Sequence, residues 1–139
     1  VISSRKNGGS FTNNGYLHLY FNNFPTNTTW GQTRDGSTFQ TNQFDGGVTT
    51  QQILSLVNDG NGIGTSTQTL FSNNVQKDTN ANFNPISYSA SNDYCIGADN
   101  SSGNFLNGTI QEVVIYTTNQ MSNVSGINTN INDFFNIYP

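Results

Sequence analysis

Apolar and polar positions alternate in short runs along most of this chain, and the runs are broken by Asn and Gly. In "NNGYLHLYFNN" an Asn14-Gly15 turn leads into a stretch where Leu17, Leu19 and Phe21 share one parity and Tyr16, His18 and Tyr20 the other. That is the period of a strand, and bulk on both parities predicts a strand covered on both faces. "QQILSLVNDGNG" predicts a second strand over Gln51 to Val57, closed by a turn at residues 58–62. "TQTLFSNNVQKD" reads as a hairpin, with a Ser-Asn-Asn turn between Phe71 and Val75. "DYCIGA" reads as a short buried strand. "FLNGTIQEVVIY" has a turn at Asn107-Gly108, then the densest β-branched and aromatic run in the chain. It predicts an interior strand over Ile110 to Tyr116. Residues 25–47 are polar, with Trp30, Phe39 and Phe44 as isolated anchors, and fit either a weak strand pair or a long loop.

The period changes at the C-terminus. In "SNVSGINTNINDFFNIYP", Val124, Ile127, Ile131, Phe134 and Phe135 fall within an arc of roughly 100° on a helix. This predicts one short amphipathic helix within Ser122 to Phe135, with Ser122 as N-cap. Val124, Ile127, Ile131 and Phe134 are expected to be buried against the sheets. Gly126 and the many Asn residues weaken its intrinsic helicity, so packing must hold it.

Composition agrees with a turn-rich all-β chain. Of 139 residues, 24 are Asn, 17 Thr and 14 Ser, while charged residues are 9% against about 25% in an ordinary domain. Asn, Thr and Ser compete for the backbone through their side chains and favour turns and strands over long helices. Low charge with abundant Asn also marks prion-like tracts, but the aromatics, 12% of the chain, fall at period two. The length suits a single domain over residues 1–139. The first residue is Val1, so the chain is expected to be processed or to be a piece of a longer polypeptide.

Charge narrows the partners. Four basic residues and a net charge of −4 leave no patch to neutralise phosphates, so nucleic acid is not an expected partner. The longest apolar run, residues 113–116, is far short of the roughly 18 residues of a membrane span. Cys95 is alone and can form no disulfide within the chain.

Candidate chemistry is sparse. Glu112 is the only glutamate, and Asp99 and Asp133 lie on other segments. Glycoside hydrolysis needs two carboxyls flanking one bond. Glu112 therefore reads as a strand-edge or solvent-facing group, no catalytic residue is assigned, and the chain is expected not to be an enzyme. His18, the only imidazole, lies between Leu17 and Leu19 and reads as a sheet-face residue; no Ser has a nucleophile-elbow motif around it. No cofactor is expected. A hard cation such as Ca²⁺ would look to Asp59 and Asn61, or to Asp93 with Asp99 and Asn100, but "NDGNGIG" lacks the further carboxylates and the bidentate Glu of a calcium loop. Plain turn chemistry accounts for it.

In order, "QQILSLVNDGNG", "TQTLFSNNVQ" and "DYCIGADNSSGNFLNGTIQEVVIYTTNQMS" resemble the C-terminal half of concanavalin A-like, laminin-G-like jelly rolls. Those domains tend to end in a pattern F-x-G-x-I-x-E-x-x-I-Y. It is matched by Phe105, Gly108, Ile110, Glu112, Ile115 and Tyr116, with one extra residue between Phe and Gly. The ending "NGTIQEVVIYTTNQMSNVSGINTNINDFFNIY" resembles segments of large bacteriophage structural proteins. The resemblance covers roughly residues 51–139; residues 1–48 match only as a strand pair, and full domains of the family usually run longer. It implies a jelly-roll sandwich of two antiparallel sheets with one short C-terminal helix. It also implies a structural role in a virion, as a capsid decoration, fibre or tail component on the particle surface. Partners would be copies of the chain, a trimer being favoured, and other virion proteins. The alternative is a lectin-like adhesin for a host-surface glycan, with Trp30, Tyr16, Tyr20 and Tyr94 as its aromatic candidates, although aromatics at period two read first as core or interface. Lectins of this fold often carry Ca²⁺. A glycanase is the remaining alternative, and the lone Glu112 argues against it. Asn-x-Ser/Thr sequons at Asn27, Asn100, Asn107 and Asn123 are expected by chance in so Asn- and Thr-rich a chain, and a phage protein would meet no machinery to glycosylate them.

Overall fold

The computed structural model describes residues 2–6, 16–23, 28–35, 38–46, 50–60, 65–83, 92–97 and 105–139. Among these described residues eight strands and one helix follow in order: β1 (Ile2–Lys6), β2 (Tyr16–Asn23), β3 (Thr28–Asp35), β4 (Thr38–Asp45), β5 (Leu54–Asn58), β6 (Ser66–Ser72), β7 (Val75–Phe83), β8 (Asn92–Ile96) and α1 (Val124–Phe135). The strands form two antiparallel sheets, a five-stranded one ordered β4-β3-β2-β1-β8 and a three-stranded one ordered β5-β6-β7. Within the polar stretch, residues 28–35 and 38–45 thus form a strand pair, with Thr28 opposite Asp45 and Asp35 opposite Thr38. β2 and the β6–β7 hairpin form where the period-two pattern predicts them. At the hairpin tip Asn73 and Asn74 take φ of 48° and 63°. Two successive left-handed residues make the tight turn whose twist suits a hairpin, and Asn bears that conformation better than most residues.

Register shows how the smaller sheet is covered. Leu56 pairs with Leu70, and Ser55 with Phe71, so the two pairs face opposite ways. On one face Leu56 lies over Gly31 of the larger sheet; a Cβ at Gly31 would come within 2.7 Å of Leu56 Cδ1. On the other face Val57 and Phe71 pack with Val124 of α1, and Met121 flanks them. β6 is therefore covered on both sides, by the larger sheet and by the helix, and five of its seven residues in succession, Gln68 to Ser72, are buried.

A polar network also crosses the interface between the sheets. The Thr33 hydroxyl donates to Gln68 Oε1 at 2.7 Å, and Gln68 Nε2 donates to Asn42 Oδ1 at 2.8 Å. Asn42 Nδ2 in turn donates to Asp78 Oδ2 at 3.3 Å. Thr33, Asn42 and Gln68 are all buried, and each finds its partner within this chain of bonds. Such groups would cost about 1–3 kcal/mol apiece if left unpaired, so the network holds the sheets in one relative position. β7 also covers the outer edge of β4: the Gln43 N–H donates to Asp78 Oδ2 and Asn80 Nδ2 donates to the Thr41 carbonyl. Two side chains thereby take the place of a neighbouring strand on an edge that would otherwise be open to pairing.

Several expectations are corrected. Residues 106–116 form no strand. They run outside both sheets, and Val114, Ile115 and Tyr116 are exposed; β propensity alone does not make a strand, which also needs a partner. β8 is an edge strand of the larger sheet, not a buried one, and Ile96 is exposed. The helix begins after Asn123, not Ser122, with no side-chain cap bond, and Asn136 closes it in the left-handed conformation. Phe134 is 81% exposed, whereas Val124 and Asn128 are the buried residues of α1. Phe134 stacks edge-to-face on Phe135 at 4.8 Å between ring centres. The helix docks by Asn128, whose Oδ1 accepts from the Ser55 hydroxyl at 2.7 Å, and this turns Phe134 away from the sheet.

Candidate functional site

A cleft lies beside the smaller sheet. It extends from the free edge of β5 to residues 105–120 and α1, with a volume near 1420 Å³. Leu19 and Leu56 line the sheet side, and Ile127, Ile131 and Phe135 the helix side. Asn128 lies at the helix side too, and its Nδ2 is a buried amide nitrogen without a partner among the described residues.

Residues 105–120 form the outer wall as a strap. One end is tied to the larger sheet, where the Leu106 N–H donates to the Gly97 carbonyl at 2.8 Å. The other end enters the helix through a local knot: Asn123 N–H to the Gln120 carbonyl, Asn123 Nδ2 to Gln120 Oε1, and Met121 N–H to Asn119 Oδ1. Between the two ends, a side-chain bond from Gln51 Nε2 to Gln111 Oε1 holds the strap beside the segment leading into β5. Phe105, Val114, Ile115 and Tyr116 are exposed along it.

The residues picked out by sequence fall in different places. Glu112 is exposed on the strap, not on a strand. His18 pairs with Ser3 and Gln32 across the larger sheet. Tyr20 and Trp30 are direct cross-strand partners on β2 and β3, Tyr16 lies opposite Arg34, and Tyr94 lies opposite Ser4 three strands from Trp30. Three of the four aromatic candidates thus share one strand pair, and Tyr94 stands apart on the edge.

Asp59 performs turn chemistry. Its N–H donates to the Thr67 carbonyl at 3.0 Å and its Oδ1 accepts from the Thr67 N–H at 2.9 Å, while Gly60 N–H donates to Asn58 Oδ1. Gly60 takes φ of +67° there, a conformation that costs glycine little. Asn61, Asp99 and Asn100 lie outside the described residues. Among the described residues no three His, Cys, Asp or Glu side chains gather as metal ligands. No described helix is long and apolar enough to cross a membrane.

The C-terminus adds a clasp that the sequence did not signal. Asn132 Oδ1 accepts from the Ile137 and Tyr138 N–H groups, and its Nδ2 donates to the Tyr138 carbonyl. The Tyr138 hydroxyl reaches the Asn128 carbonyl at 3.4 Å. Burial, with the nearby Asp133 carboxylate, raises the Tyr138 phenol above its ordinary pKa. Comparison with family models, curated proteins and solved structures finds no match for this chain.

Proposed function

We propose that this chain is a contact-making structural module of the laminin-G-like, concanavalin A-like jelly-roll kind, working on the surface of a virion and joined to copies of itself. The observation that carries the reading is the strap. Phe105, Val114, Ile115 and Tyr116 are 76, 46, 58 and 51% exposed, along one extended stretch flanking an apolar cleft. A run of exposed large apolar side chains such as Val114-Ile115-Tyr116 is the kind of surface that marks an interface. A closed homo-oligomer is the common way to cover it, and the resemblance to phage fibres and decorations favours a trimer, with other virion proteins as further neighbours. On this reading Glu112 is a surface group of the interface rim and the chain catalyses no reaction on a substrate. Sedimentation of the isolated chain tests it: self-association that Ile115→Asp abolishes, with the strand signal in circular dichroism unchanged, is the expected result. A wild-type chain that stays monomeric at micromolar concentration overturns it.

One observation favours a second reading, host-glycan recognition. Tyr20 and Trp30 are backbone cross-strand partners, and aromatic residues are the type on which sugar rings stack. A glycan array separates the two readings: binding that Trp30→Ala abolishes supports the adhesin, and no binding across the array leaves the structural module.

A further inference from the structure

We infer that Asn107 is a site of spontaneous backbone-assisted deamidation, which writes a new carboxylate and a backbone rearrangement into the strap. Three observations carry this. The dipeptide is Asn-Gly, and glycine lacks the Cβ that would crowd attack by its own nitrogen. Asn107 and Gly108 are both exposed and lie outside helix and strand. Among the described residues no hydrogen bond holds the Asn107 side chain or the Gly108 N–H, although the next anchor, Leu106 N–H to Gly97, is one residue away. The segment is thus fastened at Leu106 and loose immediately after it.

The reaction needs only water. The Gly108 nitrogen loses its proton to solvent base and attacks Asn107 Cγ. A Cγ–N bond forms, the Cγ–Nδ2 bond breaks, and ammonia leaves with a proton taken from water. Water then opens the resulting five-membered imide. Cleavage of the new Cγ–N bond gives aspartate at position 107; cleavage of the original backbone C–N bond gives isoaspartate, with the chain now running through the side-chain carboxyl. Nothing is oxidised or reduced, and the sum is amide plus water giving acid plus ammonia. Either product places a second negative charge on a strap whose one ionised group is Glu112.

The molecule contains its own contrast. Asp59-Gly60 could close the same imide, but there the Gly60 N–H is committed to Asn58 Oδ1 at 2.9 Å and the Asp59 carboxylate to the Thr67 N–H at 2.9 Å. The same chemistry is therefore restrained in the β5–β6 turn and open in the strap.

The test is peptide mapping by mass spectrometry after days of incubation of the whole chain at mildly alkaline pH, folded and in urea. The expected result is an amide-to-acid mass shift and isoaspartate at residue 107, at a folded-state rate within about threefold of the urea rate, because the loose segment already samples what unfolding would allow. Residue 59 should isomerise far more slowly folded than unfolded. Gly108→Ala should slow conversion at 107 roughly tenfold through the added Cβ. The variant should fold, since the nearest atom to a Cβ there is Leu106 Cδ1 at an ordinary 3.8 Å. A folded rate at Asn107 tenfold or more below the urea rate, or no effect of Gly108→Ala, overturns the proposal.

Discussion

Replacing Gln68 with Met should separate the two sheets energetically while keeping their volume. Gln68 is fully buried and makes two bonds across the sheet interface, accepting from Thr33 and donating to Asn42. Met has nearly the same size and fills the space, so the cavity contribution is small. What remains is the orphaning of two buried groups, the Thr33 hydroxyl and the Asn42 carbonyl oxygen, at about 1–3 kcal/mol each. Asn42 cannot recover by turning its amide over, because its Nδ2 is already committed to Asp78. The Thr33 hydroxyl can rotate and regain part of its loss, and Met avoids the desolvation that Gln suffers on burial. The net expectation is a loss of about 2–4 kcal/mol. Urea denaturation at constant slope measures it. Adding Thr33→Val removes one orphaned group, so the double variant should recover about 1 kcal/mol relative to Gln68→Met alone. A loss below about 0.5 kcal/mol, the range of a plain surface change, with no coupling to position 33, refutes the claim that this network joins the sheets.

The helix gives a paired prediction in which Val124→Ala costs about 1–3 kcal/mol and Phe134→Ala stays within about 0.5 kcal/mol, because one is buried beside Phe71 and the other is exposed; equal losses in thermal denaturation would reverse the assignment of the docked face. Glu112→Gln should leave any glycan binding or turnover within a few fold in a titration or rate assay, and a thousand-fold fall in hydrolysis would restore the enzyme. The Tyr138 phenol is raised in the folded state by burial and by Asp133, so its contribution to stability is complete below the unfolded value near 10 and is lost as pH rises through the folded value. Denaturation across that alkaline window should show wild type losing stability that Tyr138→Phe does not lose, and parallel curves would contradict it.

What could be read from the sequence divides along a physical line. Features set by neighbours in the chain were legible. The Asn73-Asn74 turn is written in two residues that tolerate positive φ, and β2 in the alternation from Tyr16 to Phe21. Features set by distant partners were not. "TIQEVVIY" has the composition of an interior strand, yet period two specifies a shape and not a neighbour, and β5 leaves it unpaired. Phe134 lies at the rim of the helix's apolar arc, roughly 80° from Val124 at 100° per residue. Asn128 is polar and falls outside that apolar arc, yet it is buried where Ser55 receives it. The polar stretch 25–47 left a strand pair and a loop both open for the same reason. Thr33 and Asn42 are core residues only because Gln68, some 30 positions on, supplies their hydrogen bonds.

Whether the exposed strap is a surface for self-assembly is decided by sedimentation velocity of the chain across micromolar concentrations. The expected result is a species at a multiple of the 15.2 kDa chain mass, three copies being favoured, and its collapse to a single chain in Ile115→Asp. A stable, soluble monomer in the wild type over that whole range would contradict it.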